Sequence, residues 1–213
     1  PEDSVRVEEY INYFEQDYPQ PSERQAFSIN LDGAPSPFTQ TERYEMLRVG
    51  IQGYEVDDFD RKDVSLTFVI DVSGSMDMDN RLGLVKRSLE MLVEQLRRGD
   101  QVSIVVYGSN ARVVLDPTPA TDKGEILSAI YGLRSEGSTN AEAGLKLGYK
   151  TAMRAYEADS INRVILCSDG VANVGKVEAN AILEEVQGYV DEGITLATFG
   201  FGVDNYNDTL MEQ

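Results

Sequence analysis

Val64-Ser65-Leu66-Thr67-Phe68-Val69-Ile70-Asp71-Val72-Ser73-Gly74-Ser75-Met76 joins an apolar run to a pentad of acid, hydroxyls and glycine. The run from Val64 to Ile70 is the kind of strand that is covered on both faces. Such strands belong to mostly parallel sheets, whose crossovers lay helices on either side. In those sheets ligands sit outside the carboxyl ends of the strands. Asp71-Val72-Ser73-Gly74-Ser75 leaves this strand at that end.

The residues that follow alternate between strand and helix. Leu82, Val85, Leu89, Leu92 and Leu96 mark one helical stripe, ended by Gly99. Val102 to Tyr107 is the next buried strand, and Ala111 to Leu115 is expected to return beside it after a tight turn at Gly108-Ser109-Asn110. Ile126, Leu127, Ile130 and Leu133 predict a short helix; Ala141, Leu145, Tyr149, Ala152 and Tyr156 predict a longer one. Arg163 to Cys167 is a strand, Ile182 to Val190 a helix capped near Gly193, and Ile194 to Phe199 a last strand. The fold class is therefore α/β: a doubly wound, Rossmann-like, mostly parallel sheet flanked by helices.

The opening residues read differently. Val7, Tyr10, Ile11 and Phe14 share one helical face, which Pro19 and Pro21 close off. Phe27 to Leu31 alternates like a half-buried strand, Met46 to Ile51 is a second strand candidate, and Asp57-Asp58-Phe59-Asp60 reads as an exposed linker. Two domains are expected: residues 1–61, a small helix-and-strand extension, and residues 62–213. Tyr10, Tyr13, Phe14 and Tyr18 suggest an aromatic packing cluster.

Composition narrows the function. The chain has 213 residues, 41% hydrophobic and 26% charged, which suits a globular protein with a real core. No run of about 18 apolar residues is present. Lys and Arg number 19 against 37 Asp and Glu, a net charge of −18, which repels nucleic acid and anionic membranes. There is no histidine and one cysteine, Cys167, in an apolar run. Ser-His-Asp and Cys-His catalysis are thereby excluded, and a catalytic zinc site is disfavoured. No phosphate-binding glycine loop of the G-x-x-x-x-G-K-[ST] type occurs.

Three loops meet at the carboxyl edge of the expected sheet. Asp71, Ser73 and Ser75 follow the first buried strand. Asp169 follows Cys167-Ser168 at the end of a later one. Thr139, in Gly137-Ser138-Thr139-Asn140, precedes a helix on the same side. Two carboxylates and three hydroxyls are hard oxygen donors, which favour Mg²⁺, Mn²⁺ or Ca²⁺. Few carboxylates among neutral oxygens suit Mg²⁺ in particular. A plainer reading stays open: Ser and Gly are common turn residues, and Thr139 with Glu142 would make a helix capping box. Asp77-Met78-Asp79-Asn80 lacks the spacing of a calcium loop, and acids at a helix start are the simpler reading. Asp204 to Asp208, and the sequon at Asn207-Asp208-Thr209, carry little weight.

These residues resemble the von Willebrand factor type A domain with its metal-ion-dependent adhesion site, whose pattern of D-x-S-x-S, threonine and aspartate is matched at Asp71, Ser73, Ser75, Thr139 and Asp169. The resemblance runs from about Asp63 to Gln213. The opening Arg6-Val7-Glu8-Glu9-Tyr10-Ile11-Asn12-Tyr13-Phe14 is similar to the segment that precedes the domain in a bacterial branch of envelope proteins, often lipoproteins. Asn162 to Leu166, Asn173-Val174-Gly175 and Gly200 to Asp208 fit the same branch. The resemblance implies Ser73, Ser75 and often Thr139 as direct ligands, with Asp71 and Asp169 acting through water. It also implies that the ion stays electrophilic toward a carboxylate from a partner protein. Relatives carry one more strand and helix past the position of Gln213, so a fold without its last elements is expected.

The expected function is a non-enzymatic, metal-dependent, adhesion-type protein-binding domain. It would hold Mg²⁺, with Mn²⁺ or Ca²⁺ as alternatives, and bind a partner presenting Asp or Glu. Its expected place is the cell envelope or the extracellular space, with a lipid anchor on a preceding segment left open. The competing readings are a structural envelope module with a vestigial site and a metal-dependent hydrolase using Asp71 or Asp169 as base.

Overall fold

In the computed structural model, which describes residues 7–38, 44–57, 59–78, 81–169 and 186–201, the chain divides into two compact units, Pro1–Arg61 and Lys62–Gln213. The readings placed on Arg6, Asp79-Asn80, Asn173-Val174-Gly175, Ile182-Leu183 and residues 202–213 lie outside the described residues.

The first unit holds a short helix, α1 (Val7–Asn12), and an antiparallel pair, β1 (Phe27–Pro35) and β2 (Glu45–Gly53). Both expected strands are longer than their apolar cores, because pairing carries them past the turn-rich residues at each end. Ile29 lies opposite Ile51 and Leu31 opposite Val49, and all four side chains are exposed. Tyr10 and Tyr13 meet Phe14 edge-on, at 5.5 and 5.4 Å between ring centroids. Tyr18 does not join them. Its ring lies over Gly50 and beneath the Arg48 guanidinium, at 5.6 Å, and Arg48 in turn pairs with Asp32 at 2.6 Å.

The second unit is a five-stranded sheet in the order β5-β4-β3-β6-β7. Its strands are β3 (Val64–Asp71), β4 (Gln101–Tyr107), β5 (Ala111–Pro119), β6 (Ile161–Ser168) and β7 (Ile194–Gly200). β3 runs parallel to β4 and β6, and β6 parallel to β7; β5 alone is antiparallel. Three helices follow the expected stripes: α2 (Leu82–Gln95), α3 (Lys123–Gly132) and α4 (Ala141–Arg154), and residues 186–191 are helical. α2 stops before Leu96, whose backbone is extended, and α4 stops before Tyr156. β5 runs beyond Leu115 to Pro119 and carries Pro117, which is tolerated because this strand is at the sheet edge.

Alternation along β3 builds two cores. Leu66, Phe68 and Ile70 pack with Val85 and Leu89 of α2 and Ile126 and Ile130 of α3. Val69 joins Val105, Tyr107 and the α4 residues Ala141, Tyr149 and Ala152. Each fully buried Val or Ile contributes roughly 2 kcal/mol, so β3, buried from Ser65 to Asp71, anchors both layers. Its polar residues are satisfied by a neighbouring strand and a helix end: Thr67 Oγ1 bonds Ser103 Oγ of β4 at 2.8 Å, and Ser65 Oγ donates to the carbonyl of Ala155, just past α4, at 2.8 Å. From β3 the chain moves to β4 and β5 on one side and to β6 and β7 on the other. The strand order reverses at β3, and a crevice outside the ends of β3 and β6 is where such sheets bind ligands.

Candidate metal centre

Asp71 ends β3 and Ser168 ends β6, so Asp71 and Asp169 leave neighbouring strands at one edge. Asp71 is fully buried and Asp169 nearly so. Asp71 Oδ1 accepts the Ser73 backbone N–H at 2.8 Å, and its Oδ2 accepts the Ser168 hydroxyl at 3.1 Å. The carboxylate is thus fixed by its own loop and by the next strand. Burial raises its pKa above the ordinary 3.8; the bonds from Ser73 and Ser168 oppose that rise, and the charge of Asp169 adds to it.

Gly74–Asp77 forms a single 3-10 turn. It brings Ser73 Oγ within 3.1 Å of Ser75 Oγ, so two of the three hydroxyls converge beside Asp71. Thr139 belongs to a loop tied to this turn by three hydrogen bonds. Gly74 N–H donates to Gly137 O at 3.1 Å, Glu136 N–H to Val72 O at 2.5 Å, and Ser135 Oγ to Ser73 O at 2.9 Å. The capping role left open for Thr139 falls to its neighbour: α4 begins at Ala141, and Asn140 Oδ1 accepts the Ala143 N–H at 3.1 Å. Thr139 is half-buried.

Two participants escape the motif. Arg81 Nη1 donates to Asp169 Oδ2 at 2.6 Å and to the Ser75 carbonyl at 3.1 Å, with both charged side chains buried. Arg81 sits at the start of α2, where the helix dipole disfavours a cation. That misplaced charge is the one signal in the sequence that it needs an acidic partner. Tyr107, opposite Asp71 on β4, is fully buried. Its hydroxyl makes no hydrogen bond of regular geometry among the described residues, although it lies close enough to Ser168 and Asp71 to interact with both. Burial, and then the charge of Asp71, hold its pKa well above the phenol range.

Among the described residues no three Asp, Glu, Cys or His side chains gather at one place. The donors that the described residues offer at this edge are hydroxyls with a pair of carboxylates. That donor set fits a hard cation that retains part of its water.

Comparison with known proteins decides the family. The model of the von Willebrand factor type A domain matches residues 65–213. The chain belongs to the von Willebrand factor type A family. A second model, described as von Willebrand factor, matches residues 1–47. Over 99% of its length the chain is 38% identical to YfbK of Escherichia coli K12. It is also 32% identical, over 86% of its length, to protein sll0103 of Synechocystis. It spans only 38% and 41% of the lengths of these two relatives.

Solved structures superpose on it at low identity. An aerotolerance-related membrane protein of Bacteroides fragilis gives a TM-score of 0.53 at 22% identity, over 65% of this chain and 68% of that one. Manganese-loaded TRAP of Plasmodium vivax gives 0.58 at 24% identity, over 71% and 61%. Both likenesses are of fold. In this type A domain the mostly parallel sheet places Asp71, Ser73, Ser75 and Asp169 at one edge, and backbone bonds fasten the Thr139 loop to them.

Proposed function

We propose that residues 62–213 form a metal-ion-dependent protein-binding domain. Asp71, Ser73, Ser75, Thr139 and Asp169 would hold Mg²⁺, with Mn²⁺ or Ca²⁺ as alternatives. The observation that carries this reading is the convergence of Ser73 Oγ and Ser75 Oγ, 3.1 Å apart, beside a buried Asp71 whose oxygens are already oriented. When bound, the ion supplies a Lewis-acidic position for a carboxylate of a partner protein. The chain's own residues set how strong that position is. Two carboxylates and the Arg81 guanidinium leave one net negative charge at the site, so a dication there keeps net positive character and still attracts an anion. The manganese in the Plasmodium TRAP structure supports a divalent ion on this fold.

Calorimetric titration with Mg²⁺ tests the reading. Saturable binding by the parent and its loss in Asp71→Ala is the expected result; equal binding by both would sink the assignment. A second reading, a structural module whose site no longer binds an ion, draws support from Arg81, which already neutralises Asp169. A parent that binds no Mg²⁺ at millimolar concentration would favour it.

We infer a non-enzymatic role, because a hydrolase here would need Asp71 or Asp169 as base, and each is already engaged by hydrogen bonds. Turnover of phosphoester or peptide substrates with Mg²⁺, lost in Asp169→Ala, would reverse that inference. No helix among the described residues is long and apolar enough to cross a membrane. We place the domain at the cell envelope or outside the cell, in line with the membrane protein of Bacteroides fragilis whose fold it shares.

A further inference from the structure

The two loops that carry Ser73, Ser75 and Gly137 also wall a neighbouring cleft of about 550 Å³. Its floor and sides include Met76, Met78, Leu82 and Leu133; its charged residues are Lys86, Arg87, Arg134 and Asp77. Among the described residues that line it, three cations stand against one acid, the reverse of the whole chain, which carries −18.

Two of the cations are held in place. Lys86 Nζ donates to the carbonyls of Leu133, at 2.6 Å, and Tyr131, at 3.3 Å. Arg134 Nη1 donates to the same two carbonyls, at 2.7 and 2.6 Å. The carboxyl end of α3 therefore gathers two like charges at one spot. Burial first, and then the charge of nearby Arg134, lower the pKa of Lys86; an anion in the cleft would oppose both. Arg87 is exposed on α2 beside them.

We propose that this cleft binds an acidic, partly apolar segment of the partner protein, continuing from the residue whose carboxylate reaches the metal centre. The proposal rests on the metal-dependent reading and extends it. Ser135 joins the two places, since its hydroxyl bonds Ser73 O at 2.9 Å and its side chain lines the cleft. Charge complementarity favours an acidic peptide, and the exposed Met78 offers it one apolar contact beside the cations. Elsewhere the chain's negative field repels such a peptide, so the cleft also confers direction on its approach.

The test uses the full chain and fluorescein-labelled hexaglutamate, read by fluorescence polarisation at low salt with saturating Mg²⁺. The expected result is saturable binding that hexaglutamine does not reproduce. Arg87→Glu with Arg134→Glu should weaken it about tenfold or more while calorimetric Mg²⁺ affinity stays that of the parent. Because Arg134 also braces the end of α3, Arg87→Glu alone, at an exposed position, serves as the second variant and should weaken binding in the same direction. In EDTA the parent should keep a weaker binding that still depends on Arg87. A parent that binds no Mg²⁺ yet shows this Arg87-dependent binding would remove the metal reading and leave the cleft standing. The cleft proposal is overturned if hexaglutamate does not bind, if hexaglutamine binds equally, or if both charge-reversed variants bind as the parent does.

Discussion

Arg81 and Asp169 form an ion pair at 2.6 Å with both charged side chains almost wholly buried. A buried pair contributes little against an apolar replacement of both partners, because desolvation offsets the attraction. Removing one partner is different, and costs about 3–5 kcal/mol, since the other charge stays buried alone. Arg81→Met should therefore destabilise the metal-free domain by about 3 kcal/mol, read by urea unfolding in EDTA. Arg81→Lys keeps the charge but not the planar group whose Nη1 reaches both Asp169 and the Ser75 carbonyl, and should fall between. Arg81→Met combined with Asp169→Leu should recover most of the loss while abolishing Mg²⁺ binding. A single Arg81→Met variant within about 1 kcal/mol of the parent, the range of an exposed pair, would contradict this account.

Asp71 holds its proton to higher pH than an ordinary carboxylate, chiefly because it is buried. Between 3.8 and the raised value the folded metal-free chain binds more protons than the unfolded chain. Stability then falls as pH rises through that window. Asp71→Asn removes the titrating group while leaving an oxygen to accept the Ser73 N–H. In EDTA the variant should lack this slope and be the more stable protein above the window, and it should bind no Mg²⁺. Urea unfolding across acid and neutral pH checks both; an identical slope in parent and variant would assign the titration elsewhere.

Much of this edge of the sheet is legible in the sequence for a simple reason. A run such as Val64 to Ile70 has one stable environment, a central strand, and that fixes where Asp71 must emerge. The same holds for Val164 to Cys167 and the emergence of Asp169. What escapes is set by partners far apart in the chain: Arg81 and Asp169 are separated by 88 positions, Ser168 and Asp71 by 97. No local period records such pairs. The capping of α4 by Asn140 rather than Thr139 escaped for a different reason, because either residue type can cap and the choice depends on the hydrogen bond from Asn140 N–H to Gly108 O. Tyr18 left the aromatic cluster because Gly50, with no side chain, offers a flatter seat on the hairpin.

Cys167 lies in β6 between Ile70 of β3 and Phe199 of β7. It is buried, and burial pushes its pKa to about 12. The thiolate is the reactive form, so the folded chain should resist a thiol-specific disulfide reagent at mildly alkaline pH. Labelling should rise to the rate of a free thiol in denaturing urea. Rapid labelling without denaturant would mean that β6 opens locally or that the thiol is not enclosed.

Gly137 has a φ of +71°, and a Cβ there would stand 2.2 Å from Ser109 Oγ and 3.0 Å from Ser109 N. A left-handed backbone costs an alanine roughly 1–2 kcal/mol, and the contact with a backbone nitrogen cannot be relieved by a side-chain rotation. The carbonyl of Gly137 accepts the Gly74 N–H, so any shift of this residue moves the Thr139 loop against the Ser73–Ser75 turn. Gly137→Ala should lower stability by about 1–2 kcal/mol and also weaken Mg²⁺ binding, although it removes no oxygen donor. Pairing it with Ser109→Gly separates the two causes: the Oγ clash disappears, while the φ penalty and the displaced loop remain. Unchanged calorimetric affinity in Gly137→Ala would show that the distance between the two loops is set by Ser135 and Glu136 rather than by the glycine.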